Sequence, residues 1–523
     1  MSQAETERAE RLIALRDAEF SRQANFRQLW QETADWILPM FGRIQTESVA
    51  GERMGETLYD VTPRGSARKM ASGLSSEIIP PGQEFFDLKA QGKDLADDAE
   101  SQEYLAELTE SMHEILFDTN FVPEFDAGIL SLIVFGIADT FAEFGMESGL
   151  TFRTFPIGSY QVRENARGVI DTKIITVKRT ARQLFQRYGK NIGERVRKAL
   201  ANPETEADAE PFEVIQIVQP RKVFNPKLLF GSANSKNMPY ESVHIGVLDR
   251  NVLEEGGFPE FPFAIPRWYK SPGEIYGRGQ GTEILPQVKK LNQMEADKTQ
   301  AGNRWVQPPL EILDTFDGNV NLGPKAQNFV VEPNTIKAID LGAKGSYPIA
   351  REELEEQRNL VRQGFFHSAF APLTDLKGDR RNTTEIRGRL REAYKQLTQP
   401  LTRLFREYCN PLITRSTRLL IANRIVPAPP PQLQRVKIVY TGPLALELRD
   451  QHIEAFARWL EFTEIMEQLQ EGVVDNIDVD AAHRDIARFM GVKESHIRTI
   501  GQRNMIRRAR EDLRRQQQQL AAA

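Results

Sequence analysis

YGRGQGTEILPQVKKLNQMEADKTQAGNRW, residues 276–305, opens with glycines at 277, 279 and 281 and continues as a polar helix. Read over 278–304, that helix has about 27 residues and spans roughly 40 Å. Its apolar positions Ile284, Leu285, Val288, Leu291 and Met294 form one narrow stripe, while EADKTQAGNR is polar on every side. A second such segment, RRNTTEIRGRLREAYKQLTQPLTRLFREYCNPLI, occupies 380–413. Helices so charged do not suit the core of a single chain, and the pattern predicts that their stripes pack against neighbouring copies.

Between them, 306–348 is rich in turn residues and short β-prone runs, and a charged helix, REELEEQRNLVRQGFF, returns at 351–366. Two helices bracketing a small β unit predict a projecting hairpin. Residues 367–382, HSAFAPLTDLKGDRRN, read as a loop. Thr383 or Thr384 then starts a helix to about Asn423, segmented by Pro400 and Pro411. A proline-rich linker at 427–431, a strand in LQRVKIVYTGPLA, and helices at 447–471, 479–490 and 494–518 complete the chain.

Upstream, 4–38 reads as one amphipathic helix stopped by Pro39, and 63–79 as a second with Pro63 in its first turn. Helices at about 100–118 and 123–138 follow, the latter apolar on three sides and therefore a candidate core centre. From 139 to 270 the period shortens to strand-like runs, among them 212–219, 242–248 and 261–265, with a helix capped by Thr180 and ended at Gly189. The fold class expected is α+β, predominantly helical.

Bulk properties narrow the function. The 523 residues are 40% hydrophobic and 27% charged, ordinary for a globular protein of three or four structural units. A net charge of −5 excludes a generally basic nucleic-acid binder. One cysteine, Cys409, excludes an intrachain disulfide and a cysteine zinc cluster, fits a reducing compartment, and shows no signature of a reactive thiol. The longest apolar run, 128–145, carries Asp139 and Glu143, which argues against a membrane span, and MSQAETERAERL lacks the apolar core of a signal peptide.

Chemistry is sparse. No G-x-x-x-x-G-K-[ST] is present, so the phosphate cradle of an ATPase is missing. The G-x-G-x-G at 277–281 follows no strand and reads as a tight turn leading into a helix rather than a dinucleotide site. The six histidines, at 113, 244, 367, 452, 483 and 496, form no metal-ligand pairing. Glu352, Glu353, Glu355 and Glu356 lie on consecutive turns beside Arg351 and Arg358, the pattern of a solvated or intersubunit face rather than a metal or acid–base site. No catalytic residue, metal or cofactor is expected.

Five segments in order resemble the head-to-tail connector, or portal, proteins of short-tailed double-stranded DNA bacteriophages. They are the N-terminal helix ending in Trp36-Ile37-Leu38-Pro39, GETLYDVTPRGSARKMASGLSSEIIPPGQEFFDL (55–88), FPIGSYQVRENARGVIDT (155–172), YGRGQGTEILPQVKKLNQM (276–294) and NTTEIRGRLREAYKQLTQPLTRLFREYCNPLI (382–413). TGPLALELRDQHIEAF and VDNIDVDAAHRDIARFMGV also look like the family's closing helical region. One departure is LELRDQH at 446–452, where a more basic, glutamine-containing stretch is expected.

The resemblance implies a ring of about twelve subunits. It implies a wing over 1–277, a first stem helix over 278–304, a clip over 305–350, a second stem helix over 351–366 and a tunnel loop over 367–382. A kinked wing helix, linker and strand fill 383–446, and a helical crown 447–523. The implied partners are double-stranded DNA without sequence specificity, the terminase large subunit, tail or adaptor proteins, and the major capsid and scaffold proteins, in the virion and without a membrane. Residues expected near DNA are Lys377, Arg380 and Arg381, with Asp375 and Asp379 among them. On the stem, Lys289 and Lys290 are expected to face the lumen or to bridge to Glu355 or Glu356 of a neighbour. The competing reading is a soluble oligomeric scaffold or adaptor, dimeric or tetrameric, with no DNA passage.

Overall fold

Two helices, α1 (Gln3–Arg22) and α2 (Ala24–Ile37), open the chain in a computed structural model. It describes residues 3–46, 51–91, 98–145, 149–201, 211–225, 237–307, 309–314, 319–321, 327–330, 335–338, 347–370, 388, 392–433, 435–445, 458–463, 465–466, 472, 477–489, 498 and 500–522. The expectation of one helix over 4–38 is corrected at Gln23. That side chain is fully buried and its Nε2 donates to the Tyr160 carbonyl at 2.9 Å, so the helix is interrupted where a polar group must reach inward.

α3 (Thr62–Ile78) begins with Pro63 in its first turn, as its missing N–H allows. β1 (Phe86–Ala90) follows, then α4 (Ala99–Asp118), whose first turn is capped by Asp98 accepting from Ser101 N at 3.1 Å. α5 (Phe121–Phe135) is the centre of the core. Ile129, Leu132, Ile133, Val134 and Phe135 are all at most 1% exposed, each burial contributing roughly 1.5–3 kcal/mol. The helix ends on Gly136, whose φ of 89° is a left-handed cap that other residues adopt only at a cost. Gly128 leaves the space that Tyr408 fills, and the Tyr408 hydroxyl meets Thr140 Oγ1 at 2.9 Å.

Two antiparallel sheets are built next. The smaller orders β3 (Gly149–Thr154), β2 (Thr140–Gly145) and β9 (Phe263–Ala264). The larger runs β4 (Tyr160–Glu164), β5 (Ile170–Arg179), β6 (Phe212–Pro220), β7 (Tyr240–Gly246) and β8 (Asn251–Phe258). One face of this sheet packs Ile174, Ile215, Ile217 and Ile245 under Ala9 and Leu12 of α1. The other packs Val214 and Leu253 under Leu184, Tyr188 and Val196, which belong to α6 (Ala181–Tyr188) and α7 (Glu194–Ala201). Thr180 caps α6 in a reciprocal box with Gln183, as its sequence predicts. β8 and α7 were not among the expected elements.

Between the two sheets Lys173 and Asp139 form a fully buried ion pair, with the ammonium 3.6 Å and 3.7 Å from the ring centres of Phe155 and Phe263. Burial pushes the Lys173 pKa down to about 8 and the Asp139 carboxyl up, each opposed by the partner's charge. Such a pair adds little net stability, since both ions lose their hydration, yet removing one partner would strand a buried charge.

The long helix α8 (Leu285–Val306) is preceded by a single helical turn, Gln280–Glu283. β10 (Leu310–Ile312) and β11 (Ile336–Ala338) pair antiparallel, and α9 (Tyr347–Gly364) returns, starting four residues earlier than its charge pattern predicts. The kinked segment contains Thr398–Leu404, a π-helical turn at Phe405–Cys409, and α10 (Asn410–Ala422). The π-turn immediately precedes Pro411, which lacks the N–H that a regular α-turn requires. β12 (Val436–Tyr440) pairs with β1, and helices Val479–Phe489 and Ile500–Ala522 lie in the C-terminal region. Cys409 is buried, and burial pushes its thiol pKa up, as suits a packing residue.

Candidate functional site

The glycines at 277, 279 and 281 lie where the chain passes from the body into α8. Main chain lies against main chain here. Trp268 N donates to Gly136 O at 2.9 Å, and Tyr269 and Arg278 exchange hydrogen bonds of 3.1 and 2.7 Å. A Cβ at Gly279 would lie 2.6 Å from Gly136 N, Ile133 O and Val134 O, and one at Gly281 would lie 2.7 Å from Val134 O. The glycine motif therefore serves close approach to the end of α5, in keeping with a turn rather than a nucleotide cradle.

Around the junction, side chains converge from distant parts of the chain. Trp30 Nε1 donates to Phe135 O at 3.2 Å and its ring meets Tyr276 edge-on at 5.2 Å. Arg267, 3% exposed, binds Glu407 and Glu164, each at 3.0 Å, and donates to Gly168 O at 2.9 Å. One guanidinium thus ties the β4–β5 hairpin, the junction loop and the π-turn together, a role suited to its rigid fork of donors.

α8 and α9 form an antiparallel pair: Ile284 abuts Gly364, Gln357 Nε2 donates to Gln287 O at 3.3 Å, and Arg358 meets Glu295 at 3.3 Å. Ile284, Leu285, Val288 and Leu291 are buried with Leu354, Val361 and Phe365. This corrects the expectation that the stripe packs on neighbouring copies. It is consumed within the chain, because α9 and α2 both lie against it, while Leu360 of α9 and Val306 at the end of α8 stay exposed. Polar ties fix the pair to the body. Asn292 Oδ1 accepts from Tyr59 N at 2.7 Å, its Nδ2 donates to Thr57 O at 3.1 Å, and Arg358 Nε donates to Asp60 Oδ2 at 2.8 Å. Burial works to raise the Asp60 pKa, but hydrogen bonds from Thr62 and Arg358 outweigh it and hold the carboxyl low.

With a body of this kind carrying the antiparallel α8–α9 pair, the sequence profile described as "Bacteriophage head to tail connecting protein" matches residues 9–497. The chain belongs to this family. It is similar to a portal protein of Salmonella phage epsilon15, 26% identical over 519 residues that cover 94% of this chain and 89% of the relative. It is also similar to a probable portal protein of Bordetella phage BPP-1, 23% identical over 506 residues with 94% and 89% covered. Family and relatives support a portal role in DNA packaging and head-to-tail connection. The family is a structural one. Among the described residues, no group of His, Cys, Asp and Glu is placed to hold a metal ion, and no helix is long and apolar enough to cross a membrane.

Of the residues singled out from sequence, Asp375, Lys377, Asp379, Arg380 and Arg381 lie outside the described residues. Lys289 pairs with Glu32 of the same chain, while Lys290 is exposed. Glu355 is held by Arg362 at 2.7 Å and Arg358 at 3.5 Å, within its own helix, and Glu356 is exposed. Glu352, Glu355 and Glu356 line a shallow depression with Asn359, Leu360 and Gln363. Sequence reasoning missed Arg267, Asp60 and Asn292, each of which has a partner more than 100 residues away, Glu164 and Glu407, Arg358, and Tyr59 respectively, a distance that leaves no local spacing to find.

Proposed function

We propose that the chain is one subunit of a ring of about twelve copies at a single capsid vertex. Double-stranded DNA enters through its axial channel, driven by a terminase, and later leaves through the tail. The observation that carries this reading is the α8–α9 pair. It uses its one apolar stripe on its own body and turns polar residues outward, among them Lys290, Glu352 and Glu356. A surface of that kind suits a wet channel wall or a polar contact between copies.

In this reading 1–277 is the wing, α8 and α9 are the stem, 305–350 is the clip that receives terminase and later tail proteins, 367–382 is the tunnel loop and 447–523 is the crown. The channel must let a polyanion slide, so fixed phosphate contacts are a hindrance: each paired cation adds salt-dependent affinity. The mixed signs of Asp375, Lys377, Asp379, Arg380 and Arg381 suit weak, exchanging contacts. Capsid and scaffold proteins would hold the wing.

A packaging reaction tests this. Heads assembled with the chain and supplied with terminase, nucleotide and genomic DNA are expected to protect genome-length DNA from nuclease, and heads assembled without it are not. Equal protection in both would contradict the proposal.

A further inference from the structure

Residues 178–198 carry eight cationic side chains and one carboxylate, Glu194, in a chain whose net charge is −5. The structure places most of these cations on the outer surface of α6 and α7, around a depression of about 360 Å³. Ile192, 3% exposed, forms its floor, with half-buried Leu200 and half-exposed Phe185 beside it. Lys190 and Arg197 form the rim, and Arg197 is oriented by its 2.7 Å hydrogen bond to the Lys190 carbonyl.

Among the described residues, at least half of these cations have no ion-pair partner. Among the described residues Lys198 pairs with Glu194 at 2.9 Å, and Arg187 comes only within 4.0 Å of Glu254. The Asp249 carboxylate accepts from the Arg195 backbone N–H at 3.3 Å and keeps its own charge at this edge. The side chains of Arg182, Lys190, Arg195 and Arg197 come within 4.0 Å of no carboxylate of the described residues, although the charge of Arg197 still acts on Glu194. An exposed aromatic side chain next to an apolar depression with a cationic rim is a poor use of surface unless something covers it.

We propose that this groove docks an acidic segment of a partner protein, one apolar side chain of which enters against Phe185, Ile192 and Leu200 while flanking carboxylates meet Lys190 and Arg197. Charge complementarity selects the sign of the partner. The apolar floor selects protein over nucleic acid, since a phosphate backbone offers nothing to fill it. The site lies on the far side of the five-stranded sheet from α1, and it does not depend on the channel reading.

The test uses the full-length protein as purified and a labelled synthetic peptide of glutamates around a central Leu-Phe pair. Fluorescence anisotropy should show binding that weakens about tenfold or more in the double variant Lys190→Glu/Arg197→Glu, in Phe185→Ser, and when the central pair is replaced by Gly-Ser. Phe185 is half exposed, so its variant should melt at the wild-type temperature and report on docking rather than folding. Three results would overturn the proposal. One is peptide binding unchanged by these substitutions. Another is tight binding of a short DNA duplex that the charge reversal abolishes, with no effect of Phe185→Ser. The third is a change of oligomer mass in the double variant, which would show that a second copy covers the groove.

Discussion

Arg358 reaches from the returning helix to Asp60 in the loop before α3, Nε to Oδ2 at 2.8 Å, while its NH2 contacts Glu295 of the outgoing helix at 3.3 Å. One side chain therefore joins both α8 and α9 to the loop before α3. Asp60 is 4% exposed at its side chain and Arg358 28%, so part of the interaction is screened by solvent. Arg358→Ala is expected to lower stability by about 1–2 kcal/mol, leaving a buried carboxylate without its cation. Arg358→Lys should recover only part of this, because it keeps the charge without the fork of donors. Denaturant midpoints of the three proteins check the order.

Two glycines in the same region should behave oppositely. Gly279→Ala drives a Cβ to 2.6 Å from three backbone atoms of the α5 end, none of which can swing aside, and should cost about 3 kcal/mol or more. Gly302, inside α8 with nothing within 4 Å of its added Cβ, should gain roughly 0.5–1 kcal/mol as alanine. Thermal melts of both variants against wild type decide this.

His244 gives the body a sensitivity to acid. Burial, then the charges of Arg187 and Arg179, hold its pKa down to about 4 from 6.5, and Nδ1 shares a 2.7 Å hydrogen bond with the Tyr188 hydroxyl. At neutral pH the ring is uncharged, so Glu254 at 3.6 Å is a polar neighbour rather than an ion-pair partner. Below pH 6.5 the unfolded chain binds a proton that the folded chain refuses. The stability contribution is complete above 6.5 and is lost as pH falls through about 4, on the order of 3 kcal/mol at most. His244→Gln, which keeps an acceptor for Tyr188, should lose less melting temperature between pH 7 and pH 4.5 than wild type.

If the segment 367–382 meets DNA, reversing its cations should alter packaging and not assembly. Arg380→Glu/Arg381→Glu is expected to reduce packaged DNA per particle while rings still form, read by DNA length in purified heads. Wild-type packaging in that variant would remove these residues from the mechanism.

The helices were largely readable because their signals are local: Pro63 in a first turn and Thr180 as a cap, while the helix expected over 123–138 stops earlier, on Gly136. What escaped was set by distance. β1 pairs with β12 some 350 residues later, and no spacing in FDLKA announces VKIVY as its partner. Lys173 sits in TKIITVKRT as one of three cations and is the one buried, because Asp139 and two aromatic rings surround it from other elements. Gln23 looks like helix surface and is the buried residue at the break between α1 and α2. The stripe of α8 was correctly placed and wrongly partnered, since periodicity tells which face is buried and not which chain buries it.

The most direct test of the portal account is the native mass of the purified 59.5 kDa chain, taken with negative-stain images of the same sample. The account predicts a closed ring of about twelve copies with an axial hole. A monomer or compact dimer that never forms rings, even with capsid and scaffold proteins present, would contradict it.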